Sequence, residues 1–166
     1  MKKTILLLIL TTIFAYANEK PTLTVYTYDA FAASWGPAPK VKKAFEKTCD
    51  CNINFVGVSS SIATLRKIQL EGKKTKADIL LGLDTAIAQV AKDTNLFLAH
   101  GLDISSIDLP NAYKDDTFVP FDYSYFAFVY DEEKTKNVPK SFEELASMPE
   151  DFKIVIQDPR SSTPGL

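Results

Sequence analysis

Two hydroxyl-rich runs, Ser59-Ser60-Ser61 and Ser161-Ser162-Thr163, stand where the chain passes from an apolar, strand-like segment to a helix-like one. A Ser or Thr at a helix N-cap leaves the first backbone N–H groups pointing outward, with the positive end of the helix dipole behind them. Such a turn can receive a phosphate or a carboxylate. In the second run Asp158-Pro159 breaks the strand, and Pro164 takes the first helical position, where its missing N–H does no harm. A cap that binds nothing is the commoner use of the same turn. Tyr28, Asp29 and Trp35 follow the first apolar segment, and Asp84 follows the third. Aromatic faces with acids suit a flat cation, and hydroxyl-lined helix starts suit a polar or phosphorylated end of the same ligand.

Other chemistries lack material. His100 is the single histidine and reads as a solvated residue of the turn Ala99-His100-Gly101, so a His-based triad or a His-rich metal centre has little to work with. No nucleophile–base pair accompanies it. Cys49 and Cys51 flank Asp50; a disulfide is possible in an oxidising compartment, and two thiols without histidines do not complete a zinc shell. The pair therefore reads as structural or incidental. Lys40, Lys42, Lys43 and Lys47 surround Val41, Ala44 and Phe45 at helical spacing, which is a solvated helix face. Lys and Arg number 19 against 21 Asp and Glu, which argues against a nucleic-acid or anionic-membrane surface.

The first residues carry an address. Lys2 and Lys3 precede the apolar run Ile5 to Phe14, and Ala15-Tyr16-Ala17 supplies the small residues of a cleavage site, so residues 1–17 are expected to be a secretory signal peptide. The run is too short to span a bilayer, and no cysteine follows it at a lipoprotein-type position. Roughly 150 residues then remain, enough for one ordinary domain with a substantial core.

The elements that must position these groups alternate. Leu23 to Thr27 reads as a strand, Pro37 to Lys47 as a helix, Asn52 to Val58 as a strand, and Ser59-Ser60-Ser61 as the cap of a helix running to about Glu71, stopped by Gly72. Asp78 to Gly82 reads as a buried strand, and Asp84 caps a helix running toward Asn95. A β-rich run follows from Thr117 to Tyr130, then a capping box at Ser141 to Glu144, and then a strand from Lys153 to Ile156. This order predicts an α/β fold with a mostly parallel sheet, whose ligands collect at the carboxyl ends of its strands.

Four stretches resemble the thiamine-binding periplasmic proteins of bacterial ABC transporters: Leu23 to Pro37, Gly72 to Asp84, Asp116 to Asp131 and Gln157 to Leu166. The resemblance implies a periplasmic binding protein of the larger two-lobed class. Residues 18–116 would form the first α/β lobe, 117–131 the inter-lobe crossover, and 132–166 the start of the second lobe. It implies a monomer in the periplasm that is not an enzyme and carries no cofactor or metal. That protein would capture thiamine, thiamine monophosphate or thiamine diphosphate and deliver it to an inner-membrane ABC permease. Family contacts fall on Ser60 and Ser61 and on Ser162 and Thr163, with Tyr28 and Trp35 at aromatic positions near the pocket. Ser60-Ser61 departs from the acid-Gly pair of the family and so lacks a carboxylate at that turn. Asp29, Asp84 and Asp122 read as caps or structural acids. Competing readings are a binder of the same fold for ferric iron or another small organic phosphate, and a secreted enzyme. Tyr123 and Tyr125 would be the iron ligands, yet with Phe121 they share one face of a strand as ordinary sheet packing would have them.

Overall fold

The computed structural model describes residues 20–111, 113–160 and 162. By its internal contacts the chain divides into one unit ending at Leu96 and another beginning at Phe97.

In the first unit a three-stranded parallel sheet forms from β1 (Thr22–Tyr28), β2 (Asn52–Val58) and β3 (Ile79–Leu80), in the order β2-β1-β3. β1 is central because it is the richest in residues that suit a buried pleat, and Val25, Tyr26 and Thr27 are all buried. It pairs with β2 in register from Thr22↔Asn52 to Tyr28↔Val58, so the two strands end together. On its other side Val25 and Tyr26 pair with Ile79 and Leu80. The Asp78 carboxylate accepts the Thr24 N–H at 2.8 Å at the start of that pairing.

Short helices connect the strands. α1 (Asp29–Ala32) follows β1 directly, and α2 (Ala38–Phe45) leads toward β2 with Pro37 at its N-cap and Pro39 in its first turn. α3 (Ser61–Glu71) joins β2 to β3, and α4 (Thr85–Asp93) follows β3. Phe31 of α1 lies 5.7 Å from the Phe55 ring of β2. Thr64, Leu65 and Ile68 of α3 and Ile87 and Ala91 of α4 complete a core with Ile53 and Ala38. Where α2 passes into β2, Glu46 accepts both the Lys42 ammonium at 2.6 Å and the Ile53 N–H at 2.7 Å. Cys49 and Cys51 form a disulfide across Asp50, settling the possibility left open by the sequence.

Three expectations need correction. The strand expected over Asp78 to Gly82 is two residues long, pairing only with Val25 and Tyr26 of β1, and it is not buried, since Ile79 is 43% exposed at the edge of the sheet. His100 is not a freely solvated turn residue: its Nε2 bonds the Asp115 carbonyl and its Nδ1 accepts the Leu102 N–H, each at 2.9 Å. A carbonyl only accepts, so Nε2 carries the proton.

The third correction concerns the second unit. Its one described helix is α5 (Phe142–Ala146), capped by Ser141, whose hydroxyl accepts the Glu144 N–H at 3.1 Å as the capping box requires. Neither Thr117–Tyr130 nor Lys153–Ile156 is a strand here. Their alternation is β-like, but no strand among the described residues of this unit offers a ladder, and Val129 and Val155 are 95% and 92% exposed. No helix among the described residues is long and apolar enough to cross a membrane. The expected signal peptide, residues 1–17, and the expected helix start at Thr163 lie outside the described residues.

Candidate functional site

The shared ending of β1 and β2 builds the site. Tyr28 is the last residue of β1 and pairs with Val58, the last residue of β2; Ser60 follows two residues later as the N-cap of α3. Ser60 is extended (φ −159°), and its hydroxyl oxygen accepts the Ala63 N–H at 3.1 Å while its carbonyl accepts the Thr64 N–H and hydroxyl, each at 2.8 Å. The N–H groups of Ser61 and Ile62 fall in the first turn, where helix geometry provides no acceptor. An anion at this point would meet those two groups and the helix dipole.

Gly82 joins the third strand to this cluster, and it is the residue that sequence reasoning passed over. Its φ is +102°, and a Cβ placed on it would lie 2.5 Å from the Tyr28 ring and 3.9 Å from Ser61 Oγ. Tyr28 and Ser61 are thus brought together around a backbone that only glycine allows. The signal in the chain was a glycine just beyond an apolar strand, where close approach of backbone to a ring is one of its common uses. On its other side Tyr28 meets Phe31 edge-on at 5.9 Å.

Trp35 sits on the turn between α1 and α2 and is 79% exposed. That turn is tight because Gly36 lies against α1; a Cβ there would be 2.3 Å from the Ala30 carbonyl oxygen. Asp84 caps α4, its Oδ1 accepting the Ala86 N–H at 2.8 Å.

Ser162 belongs to the second unit. Its N–H donates to the Asp158 carbonyl at 2.9 Å, and its hydroxyl bonds the Gln157 side chain. Asp158 also accepts the Arg160 N–H at 2.9 Å and pairs with its guanidinium at 2.6 Å, which holds the Asp158 carboxyl below the usual carboxylate range. The turn is therefore closed by local bonds. Thr163 lies outside the described residues. Of the six residues singled out by sequence, Tyr28, Ser60 and Ser61 share one place, Trp35 stands on a neighbouring turn, and Ser162 is described within its own unit. No group of three or more His, Cys, Asp or Glu side chains that could hold a metal occurs among the described residues.

A hydroxyl-capped helix start beside an aromatic ring at the carboxyl end of a parallel sheet is a ligand site in many folds. Over 166 residues, all of this chain and 50% of the relative, it is 49% identical to a thiamine-binding periplasmic protein of Salmonella typhimurium. The chain is related to the thiamine-binding periplasmic proteins. A Brucella suis protein of that name is 53% identical over 150 residues, 90% of this chain and 45% of the relative. One from Haemophilus influenzae is 44% identical over 169 aligned positions. A solved periplasmic thiamin binding protein superimposes with a TM-score of 0.81 at 48% identity, over 90% of this chain and 47% of that one. No protein-family model matches the chain. The chain spans about half the length of the curated relatives it matches. The parallel sheet is accordingly part of a binding-protein fold, as the α/β expectation had it.

Proposed function

We propose that this chain belongs to the periplasmic solute-binding component of an ABC importer that captures thiamine and its phosphate esters for delivery to an inner-membrane permease. The observation that carries this reading is identity of about half, over the chain's whole length, to proteins named for binding thiamine in the periplasm. In this reading residues 1–17 are a cleaved signal, 18–116 the first lobe, 117–131 the crossover and 132–166 the start of the second lobe. The protein is a monomer that catalyses no reaction, and thiamine is its cargo, not a cofactor.

Each residue then has a task, which the α3 cap geometry supports for Ser60 and Ser61 and which the resemblance implies for Ser162, Thr163, Tyr28 and Trp35. The α3 N-terminus at Ser60 and Ser61, and the hydroxyls of Ser162 and Thr163, take the phosphate or terminal hydroxyl; Tyr28 and Trp35 offer faces to the rings. Ferric iron is not favoured, because the relatives are named for thiamine.

Calorimetry of the protein with thiamine, its monophosphate, its diphosphate and ferric ion tests the reading. Thiamine compounds should bind and ferric ion should not; iron binding without thiamine binding would overturn it. A chain spanning half the relatives' length carries part of the contact surface, so residues 18–166 alone should bind more weakly than micromolar. Changing both Ser162 and Thr163 to Ala removes about two hydrogen bonds to a charged group, each worth about 1.5–3 kcal/mol, and should lower the preference for diphosphate over thiamine.

A further inference from the structure

Cys49 and Cys51 are joined across one residue, at the turn between α2 and the first residue of β2. We propose that this bond is a thiol–disulfide exchange site, open to attack by an external dithiol, and not a staple that the fold requires. It lies at the amino end of β2, whereas the Ser60 turn follows the carboxyl end of the same strand, so the two sites are separate.

None of residues 47–52 is buried: both cysteines are half-buried and Asp50 is exposed, so no packed layer covers the bond. A cross-link stabilises a fold chiefly by restricting the unfolded chain, and that effect is smallest for the shortest loops. Asp50, the residue enclosed by the ring, sits at φ +49°, in the left-handed region that side chains other than glycine occupy at a cost. Opening the ring frees Asp50 to leave it, which offsets part of what the cross-link contributes. The bonds that anchor the turn do not pass through the sulfurs: the Cys49 N–H donates to the Phe45 carbonyl at 3.0 Å, and the Asn52 N–H to the Pro21 carbonyl at 2.8 Å. These anchors remain in either redox state. Lys20 pairs with the Asp50 carboxylate at 2.9 Å and so offsets the negative charge that would repel an approaching thiolate. In the exchange a donor thiolate attacks one sulfur, the S–S bond breaks, and the other sulfur leaves as a thiolate that takes up a proton. The donor's second thiol then loses its proton, attacks the mixed disulfide and releases the remaining cysteine, which is protonated in turn. The donor ends as a disulfide and the chain as a dithiol, with two electrons and two protons transferred.

The test follows thiol release from the 166-residue chain by alkylation and mass spectrometry. Dithiothreitol should reduce the native chain within about tenfold of the rate for the same chain in concentrated urea, since no unfolding has to come first. The reduced chain should keep its circular dichroism, with a melting temperature lower by less than about 5 °C, and oxidised glutathione should restore the bond. A protein dithiol of the Cys-x-x-Cys class is the second arm: reduction by that protein as well as by dithiothreitol supports a protein donor, and reduction by dithiothreitol alone supports small thiols. A native rate below that tenfold bound, a larger fall in melting temperature, loss of the folded signal on reduction, or failure to reoxidise would overturn the proposal.

Discussion

The two units carry apolar sequence of similar strength and use it differently. In the unit ending at Leu96 large side chains meet across elements: Phe31 of α1 meets Phe55 of β2, and Tyr26 of β1 lies under Lys67, with its hydroxyl 3.4 Å from Glu71. In the unit beginning at Phe97, Phe121, Tyr123, Tyr125, Phe126 and Phe128 are all exposed, although their spacing is as strand-like as that of β1. Alternation states which face of a strand would be apolar; it does not supply the second strand. An isolated segment has no ladder to enter and no layer to cover it, so its pattern stays unexpressed.

Four measurements would break or sharpen that contrast. The largest effect should come from Leu65→Ala, which removes a fully packed side chain from α3 and should cost about 2–5 kcal/mol in urea unfolding, whereas Val155→Ala in the other unit should change the curve by less than about 0.5 kcal/mol. Equal losses would mean that both regions are packed alike. Gly36→Ala comes next: the added methyl meets the Ala30 carbonyl oxygen, and the strain should cost about 1–3 kcal/mol and shift Trp35 fluorescence.

Ser60→Ala should cost about 1 kcal/mol of the main transition, since the Ala63 N–H loses its acceptor. Ser141→Ala removes an equivalent bond from α5, which is five residues long and has no buried residue, so helix fraying should be visible by amide exchange with little change in the main melting temperature. The smallest effect is acid-dependent. Hydrogen bonds from Lys67 and then Thr75 hold the Glu71 carboxyl below its ordinary value of 4.5. A depressed folded-state value contributes stability that is present above pH 4.5 and is lost as pH falls through that value. The urea midpoint should decline modestly there, and Glu71→Gln should flatten the decline; an unchanged slope in that variant would remove Glu71 from the account.

Legibility in the sequence followed the same divide. The β2 strand is legible at its observed bounds, Asn52–Val58, and the α3 cap within the run Ser59-Ser60-Ser61, of which the structure selects Ser60, because a hydroxyl before an apolar helical pattern is a local device that needs no distant partner. α5 was legible for the same reason, through Ser141 and Glu144. β3 is two residues long because a strand lasts only as far as its backbone runs alongside a neighbour, which the local pattern does not encode. Within the site, Ser60 and Ser61 announced a helix start, but Gly82 against Tyr28 depends on a pairing between segments more than fifty residues apart, and no local pattern encodes it. His100 looked solvated because its two backbone partners, Asp115 and Leu102, are set by how a loop closes.

Trp35 gives the molecule an optical consequence. It is the single tryptophan of the chain, so intrinsic emission excited at the indole band comes from one known position, and that position is open to solvent. Collisional quenching by iodide or acrylamide should be efficient for the chain as it stands. Anything that settles on the turn between α1 and α2 would shield the indole, shorten its emission wavelength and slow the quenching, turning this one side chain into a built-in gauge of coverage.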